Sequence, residues 1–112
     1  MANEVRAIPL FESKYKRFLK KFSSLEQEIG DLIEELKENP KLGVSLGAGL
    51  YKIRLASRSK GGGKSSGFRV VTYLVDERED GTDVYLVTIF DKSEESSIDK
   101  KVLVKIVKRL FG

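Results

Sequence analysis

Two stretches of identical apolar spacing, one directly after the other, constrain the fold of this chain more than any other feature. In each stretch, apolar residues recur at i, i+4, i+7, i+8 and i+11, a period that places them along one side of an α-helix. The two sets are Phe11, Tyr15, Phe18, Leu19 and Phe22, then Leu25, Ile29, Leu32, Ile33 and Leu36. The short link between them predicts an antiparallel helical hairpin, which Asn39-Pro40 ends.

Segments typical of β-strands lie on both sides of this hairpin. Val5 to Leu10 predicts a short strand, with Pro9 indicating a sheet edge. Lys41 to Gly49 contains three glycines and is predicted to be a loop. Three further strands are predicted from alternation and from β-branched and aromatic residues, at Leu50 to Ala56, Gly67 to Val75 and Asp83 to Phe90. Their short links require antiparallel pairing.

The end of the chain predicts one more helix. Ser96 or Ser97 is a candidate N-cap for it, and apolar residues recur at helical spacing from Ile98 to Leu110. We therefore predict one α+β domain over residues 1–112, in which an N-terminal strand and a helical hairpin pack on a small antiparallel sheet, with a C-terminal helix. The sheet face away from the helices would then be free to carry a site.

Positive charge is concentrated in one third of the chain. Asn39 to Val75 contains seven basic residues and no acidic one, which leaves 14 basic and 17 acidic side chains elsewhere. The seven are Lys41, Lys52, Arg54, Arg58, Lys60, Lys64 and Arg69. A localised basic surface on a small domain indicates an anionic partner, most often a nucleic acid.

The composition excludes several classes of site. The chain has no His and no Cys, so it lacks Ser-His and Cys-His nucleophile pairs and the common zinc sites. Catalysis would depend on Lys, Arg, Tyr or carboxylates, and we expect no metal and no cofactor. Apolar runs are too short to span a bilayer, and Met1 to Leu10 has no apolar signal region. We expect a cytoplasmic protein without a membrane segment.

The basic residues fall into a strand pair and a loop. Lys52 and Arg54 share one strand face, and Arg69 lies on the strand predicted to pair with theirs. If Arg69 projects from the same face, three cations converge with the ring of Tyr73, a surface that can clamp phosphates and stack a base. Beside it, the hairpin loop carries Arg58, Lys60 and Lys64, which are predicted to follow an RNA backbone.

The segment Leu50-Tyr51-Lys52-Ile53-Arg54-Leu55-Ala56, the loop Ser59-Lys60-Gly61-Gly62-Gly63-Lys64 and Gly67-Phe68-Arg69-Val70-Val71 together resemble the RelE/HigB group of bacterial toxin–antitoxin toxins. Tyr85 to Glu94 adds to the likeness. The resemblance implies the RelE-like fold and a metal-independent endoribonuclease that enters the ribosomal 30S A site and cuts mRNA by 2′-OH attack. It also implies a cognate antitoxin protein that neutralises the toxin.

The resemblance further implies roles for individual residues. By position, Lys52 and Arg54 match the basic pair of the first sheet strand, Arg69 matches the arginine that stabilises the transition state, and Lys92 matches a basic residue after the last strand. Lys52 is the candidate for proton abstraction. RelE itself has an arginine after the last strand and a catalytic tyrosine near its end, and the nearest positions here are Ser93 and Ile98.

Three other interpretations stay open at this point. A ParE-like toxin has the same fold but poisons DNA gyrase, and fold alone does not separate the two activities. A non-catalytic RNA-binding module would retain RNA without cutting it. In the simplest interpretation, Arg54 and Arg69 only form salt bridges with acidic helices.

Overall fold

The computed structural model describes residues 3–61, 67–78 and 81–112, and the α+β architecture predicted from the sequence is confirmed. The helices are α1 (Pro9–Leu19), α2 (Leu25–Glu38) and α3 (Lys100–Phe111). The strands are β1 (Glu4–Ala7), β2 (Val44–Gly47), β3 (Leu50–Leu55), β4 (Phe68–Arg78) and β5 (Gly81–Asp91). Short 3-10 helices at Arg58–Lys60 and Lys92–Ser97 follow β3 and β5.

The sheet contains five strands in the order β1-β5-β4-β3-β2 and is mixed rather than wholly antiparallel. The hairpin-linked strands β2 to β5 pair antiparallel, as their short links require. β1 instead pairs parallel with β5, because most of the chain separates these two strands and no tight turn fixes their direction. β1 also ends earlier than predicted, since Pro9 opens α1, where its fixed φ suits the first helical turn.

The predicted loop from Lys41 to Gly49 is wrong in part, because it contains β2. A two-residue connection joins β2 to β3, and both of its residues have positive φ, 55° at Ala48 and 82° at Gly49. Positive φ at both central positions is what a type I′ hairpin turn requires. The glycines that indicated a loop therefore mark the turn of a hairpin.

α1 and α2 pack on one face of the sheet through the apolar stripes seen in the sequence. The rings of Phe18 and Phe22 meet the ring of Phe68 at centroid distances of 5.1 and 5.3 Å. Both stripes contribute buried side chains to the core, as their spacing predicted. These are Phe11, Leu25, Ile29, Leu32 and Leu36, which pack with Ile53, Phe68, Val70, Leu86 and Ile89 of the sheet.

α3 packs on the opposite face of the sheet. The ring of Phe111 lies 5.1 Å from that of Tyr73 and 4.6 Å from that of Tyr85, measured between centroids. The sheet face expected to be free of helices is therefore covered at this end. The N-cap of α3 is Asp99, whose carboxylate accepts from the backbone N–H of Lys101 at 2.9 Å, rather than either predicted serine.

Candidate nucleic-acid interface

The pairing of β3 with β4 brings the predicted cations together. Arg54 lies directly opposite Arg69, and Lys52 lies two residues along β3, opposite Val71. Opposite residues of an antiparallel pair project from the same face, and so do residues two apart on one strand. Lys52, Arg54 and Arg69 therefore form one set, here called the cationic cluster.

The three cations differ in their access to solvent. The side chain of Arg54 is exposed and makes no hydrogen bond or ion pair within the described part of the chain. Lys52 is half-buried, and Arg69 is only 2% exposed. One guanidinium nitrogen of Arg69, Nη1, donates to the carbonyl oxygen of Phe68 at 3.2 Å. Both Lys52 and Arg69 have further interactions within the protein, so Arg54 is the member of the cluster best placed to meet an incoming phosphate.

Two arginines directly opposite each other are an unfavourable choice for a sheet on electrostatic grounds. Like charges at such positions destabilise the pair by up to about 1 kcal/mol relative to neutral residues. An anion bound at the exposed Arg54 would offset such repulsion and accept charge-assisted hydrogen bonds, which are roughly twice as strong as neutral ones. The pairing of Arg54 with Arg69 therefore favours phosphate binding more than it favours the stability of the sheet.

The start of the basic loop after β3 is held against α2 by backbone hydrogen bonds. The N–H of Ser24 donates to Oγ of Ser59, and the N–H of Ser59 donates to Oγ of Ser24, each at 3.0 Å. The N–H of Arg58 donates to Oε2 of Glu28 at 2.8 Å. Ser24 is the N-cap residue of α2, but its hydroxyl does not cap that helix, because it binds the 3-10 helix at Arg58–Lys60 instead.

Arg58 and Lys60 sit very differently on this anchored segment. The side chain of Arg58 is 76% exposed, with Nε 3.8 Å from Oε2 of Glu28. Lys60, also predicted to bind RNA, pairs with the carboxylate of Asp91. Its Nζ also lies 5.7 Å from the ring centroid of Phe22 and 5.1 Å from that of Phe68. The ammonium of Lys60 is therefore engaged inside the protein, whereas the guanidinium of Arg58 faces solvent.

Asp91 joins this loop to the end of β5. Burial alone would raise the pKa of Asp91, but the Lys60 ammonium and the hydrogen bonds from Ser93 outweigh burial and lower it below the ordinary value. The N–H and the hydroxyl of Ser93 both contact Oδ1 of Asp91, at 3.0 and 3.2 Å. No role was predicted for Asp91 from the sequence, because its partner Lys60 is distant in the chain; the Asp-x-Ser spacing typical of a turn was the local signal.

The remaining predicted site residues are dispersed around the cluster. Lys64 lies outside the described residues. Tyr73 projects from the same face as the cluster, but its half-buried ring packs against Phe111 of α3. Lys92 is exposed, and its N–H donates to the carbonyl oxygen of Gly67 at 3.1 Å, which places it beside the start of β4.

An acidic wall borders the cluster on one side. A groove of about 420 Å³ separates α2 from β3, and Glu28, Asp31 and Glu35 line it together with Lys52 and Arg54. These carboxylates repel an RNA backbone, so phosphates approach the cluster more favourably over the sheet face. Among the residues that the structure describes, no group of three acidic, His or Cys side chains is arranged to hold a metal ion.

Comparison with known proteins supports the fold. No family model matches the chain. A solved structure of the Escherichia coli toxin RelE, a mutant with two arginines replaced by alanine and in the free state, is similar at a TM-score of 0.60 and 24% sequence identity. The match covers 99% of this chain and 100% of the RelE chain, so the whole domain has the RelE-like fold. In the described part of the chain, no helix is long and apolar enough to cross a membrane.

Proposed function

We propose that this protein is the toxin of a type II toxin–antitoxin module and that it cleaves mRNA in the 30S A site of the ribosome without a metal ion. The observation that carries the proposal is Arg54 directly opposite Arg69, with Lys52 on the same face, in a sheet of RelE-like fold. The likeness to a solved toxin supports the biological setting. We include in the proposal a cytoplasmic location and a cognate antitoxin that neutralises the protein.

The proposed reaction uses the RNA's own nucleophile. The 2′-oxygen attacks the adjacent phosphorus and the bond to the 5′-oxygen breaks, which leaves a 2′,3′-cyclic phosphate and a 5′-OH. Lys52 accepts the proton of the 2′-OH, and Lys92, exposed at the end of β5, is the candidate that protonates the leaving oxygen. Arg54 and Arg69 stabilise the negative charge that develops on the phosphate oxygens.

The burial of Arg69 adds a requirement to this mechanism. At 2% exposure its guanidinium is covered in the free protein, so a phosphate reaches it only after the covering groups move. Binding in the ribosomal A site supplies both an ordered mRNA and the interaction energy for such a change. The requirement is consistent with a nuclease that is inactive on free RNA and active on translating ribosomes.

The test is a cell-free translation reaction with a defined mRNA, in which new 5′-OH ends are mapped with and without the protein. Naked mRNA is the control for ribosome dependence. Because Arg54 is exposed, Arg54→Ala removes a cation without disturbing the fold, and we expect cleavage to fall about 100-fold. Arg17→Ala, an exposed arginine on α1, is the matched control and should cleave like the native protein. Arg69→Ala should also abolish cleavage, and circular dichroism shows whether that variant stays folded.

Each outcome has a distinct meaning. New ends at codon positions only during translation support the proposal, whereas equal cutting of naked mRNA removes the ribosome from it. Full activity of Arg54→Ala would refute the assignment of the cluster. If the folded protein cuts neither RNA, the proposal fails, and gyrase-dependent DNA breaks or RNA retention without cleavage would identify the ParE-like or RNA-binding alternatives.

A further inference from the structure

The outer side of α3 carries a second row of apolar residues, of which only the central one, Ile106, packs against the core. Leu103 and Val107 are buried beneath the helix, but Val102 and Leu110 are 53% and 51% exposed. With half-buried Ile106 they repeat every four residues, so they share one side of the helix. A helix surface that only faces solvent does not require such a row of apolar residues. Apolar residues at this spacing are typical of a helix that packs against another helix.

This row borders a groove that is large enough for side chains of a partner. The groove has a volume of about 350 Å³ and lies between α3 and the start of α1, where Leu10 is 36% exposed. Its apolar lining is formed by Leu10, Val102, Ile106 and Leu110 together with Ile8 and Pro9. We call this surface the α3 groove, and it shares no residue with the cationic cluster.

The charged residues that line the groove are both basic. Lys105 and Arg109 line it directly. α3 contains five basic residues and no acidic one, namely Lys100, Lys101, Lys105, Lys108 and Arg109. A second copy of the chain placed groove to groove would bring these cations against each other, which is costly at an interface. The surface instead complements a helix that carries an apolar stripe flanked by carboxylates.

We propose that the α3 groove binds an acidic amphipathic helix of a partner protein, and the cognate antitoxin is that partner if the proposed function holds. The apolar stripe of the partner helix packs on Val102, Ile106, Leu110 and Leu10. Its carboxylates pair with Lys105 and Arg109. A partner held there leaves the cationic cluster uncovered, so a separate segment of the same partner is needed to block the cluster.

The test uses a defined probe rather than the unidentified partner. A synthetic amphipathic peptide of about 20 residues, long enough to be helical, carries a leucine stripe flanked by glutamates, and a second peptide has lysine at each glutamate position. Fluorescence anisotropy measures their binding to the full-length protein. We expect the glutamate peptide to bind at least about tenfold more tightly than the lysine peptide.

Variants locate the binding. Val102→Glu and Leu110→Glu change exposed residues and should each weaken the glutamate peptide at least about tenfold. Val44→Glu is the matched control, since Val44 is 65% exposed and lies on β2 away from the groove. Arg54→Ala is the control for binding at the cationic cluster, and both controls should bind like the native protein.

Contrary outcomes are equally specific. Equal binding of both peptides, or native affinity in Val102→Glu, would overturn the inference. So would a dimer in sedimentation velocity that Val102→Glu dissolves, because a second copy would then be the occupant. Cleavage of mRNA by Val102→Glu, measured in parallel, should be native. A protein that cleaves but binds neither peptide refutes the α3 groove alone, and one that binds but does not cleave refutes only the proposed function.

Discussion

Replacing Lys60 with alanine separates the role predicted from the sequence from the role that the structure gives this residue. If Lys60 mainly contacted RNA, the variant would lose activity and keep its stability. In the structure, its side chain is 15% exposed and that of Asp91 19%, and its ammonium lies near two aromatic rings. We therefore expect Lys60→Ala to lose stability.

The size of the loss follows from these contacts. A hydrogen bond to a charged partner contributes about 1.5–3 kcal/mol, and each cation–π contact adds about 0.5–1 kcal/mol. Since both charged groups keep some contact with solvent, we expect a loss of about 3 kcal/mol, which lowers the Tm by about 10 °C or more in a chain of this size. Urea denaturation followed by circular dichroism measures it. Lys41→Ala, an exposed lysine of the same basic segment, should change little.

A double-mutant cycle with Asp91→Asn isolates the ion pair. If Lys60 and Asp91 stabilise each other, the double variant is less destabilised than the sum of the single variants by about 1–2 kcal/mol. A stabilising role of Lys60 is refuted if the unfolding free energy of Lys60→Ala lies within about 0.5 kcal/mol of the native value, a change typical of a surface position. Native stability with reduced cleavage would return Lys60 to an RNA-binding role.

Further predictions concern pH and two backbone positions. Because the pKa of Asp91 lies below its ordinary 3.8 in the folded protein, its stabilisation is present above about pH 4 and is lost as the pH falls through the folded-state pKa. The difference in unfolding free energy between the native protein and Asp91→Asn should therefore narrow on acidification, and a constant difference would contradict this. Gly67→Ala places a Cβ 2.0 Å from the carbonyl oxygen of Leu55. It should lower the free energy of unfolding, measured by urea denaturation, by about 3 kcal/mol. An unchanged denaturation midpoint would contradict this, because it would show that β3 and the start of β4 move apart at no cost. Ala48→Asn, at a φ of 55°, should stabilise the protein by about 0.5–1 kcal/mol, and a lower Tm would refute the type I′ assignment.

Periodicity made most of the fold predictable. The two apolar stripes specify α1 and α2 because a 3.6-residue repeat buries one side of a helix whatever it packs against. The alternation in β3 is equally local, and the prediction that Lys52 and Arg54 share one strand face is confirmed. These features depend on the sequence within each element, so no knowledge of distant contacts was required.

The errors lie where distant contacts decide the outcome. β2 is only four residues long, and its pairing with β3 outweighs the weak strand propensity of its glycine. The parallel position of β1 and the side of the sheet that α3 covers depend on which apolar surfaces remain after the core has formed. The partner of Lys60 was equally hard to predict, since a lysine in a Gly/Ser-rich loop has no local signal of a partner 31 residues away.

In the candidate site, an unfavourable pairing of two sheet residues lies beside a loop that hydrogen bonds and an ion pair hold in place. Arg54 lies directly opposite Arg69, and two like charges at such positions are a less favourable sheet pair than neutral residues. The loop after β3, in contrast, is held at Ser59 by Ser24 and at Lys60 by Asp91. Local interactions that oppose stability persist where the rest of the structure outweighs them, and they concentrate at functional sites. Two arginines at one pair of sheet positions therefore favour an anionic ligand at the exposed Arg54, and we expect Arg54→Ala to leave the unfolding free energy unchanged or raise it while cleavage falls.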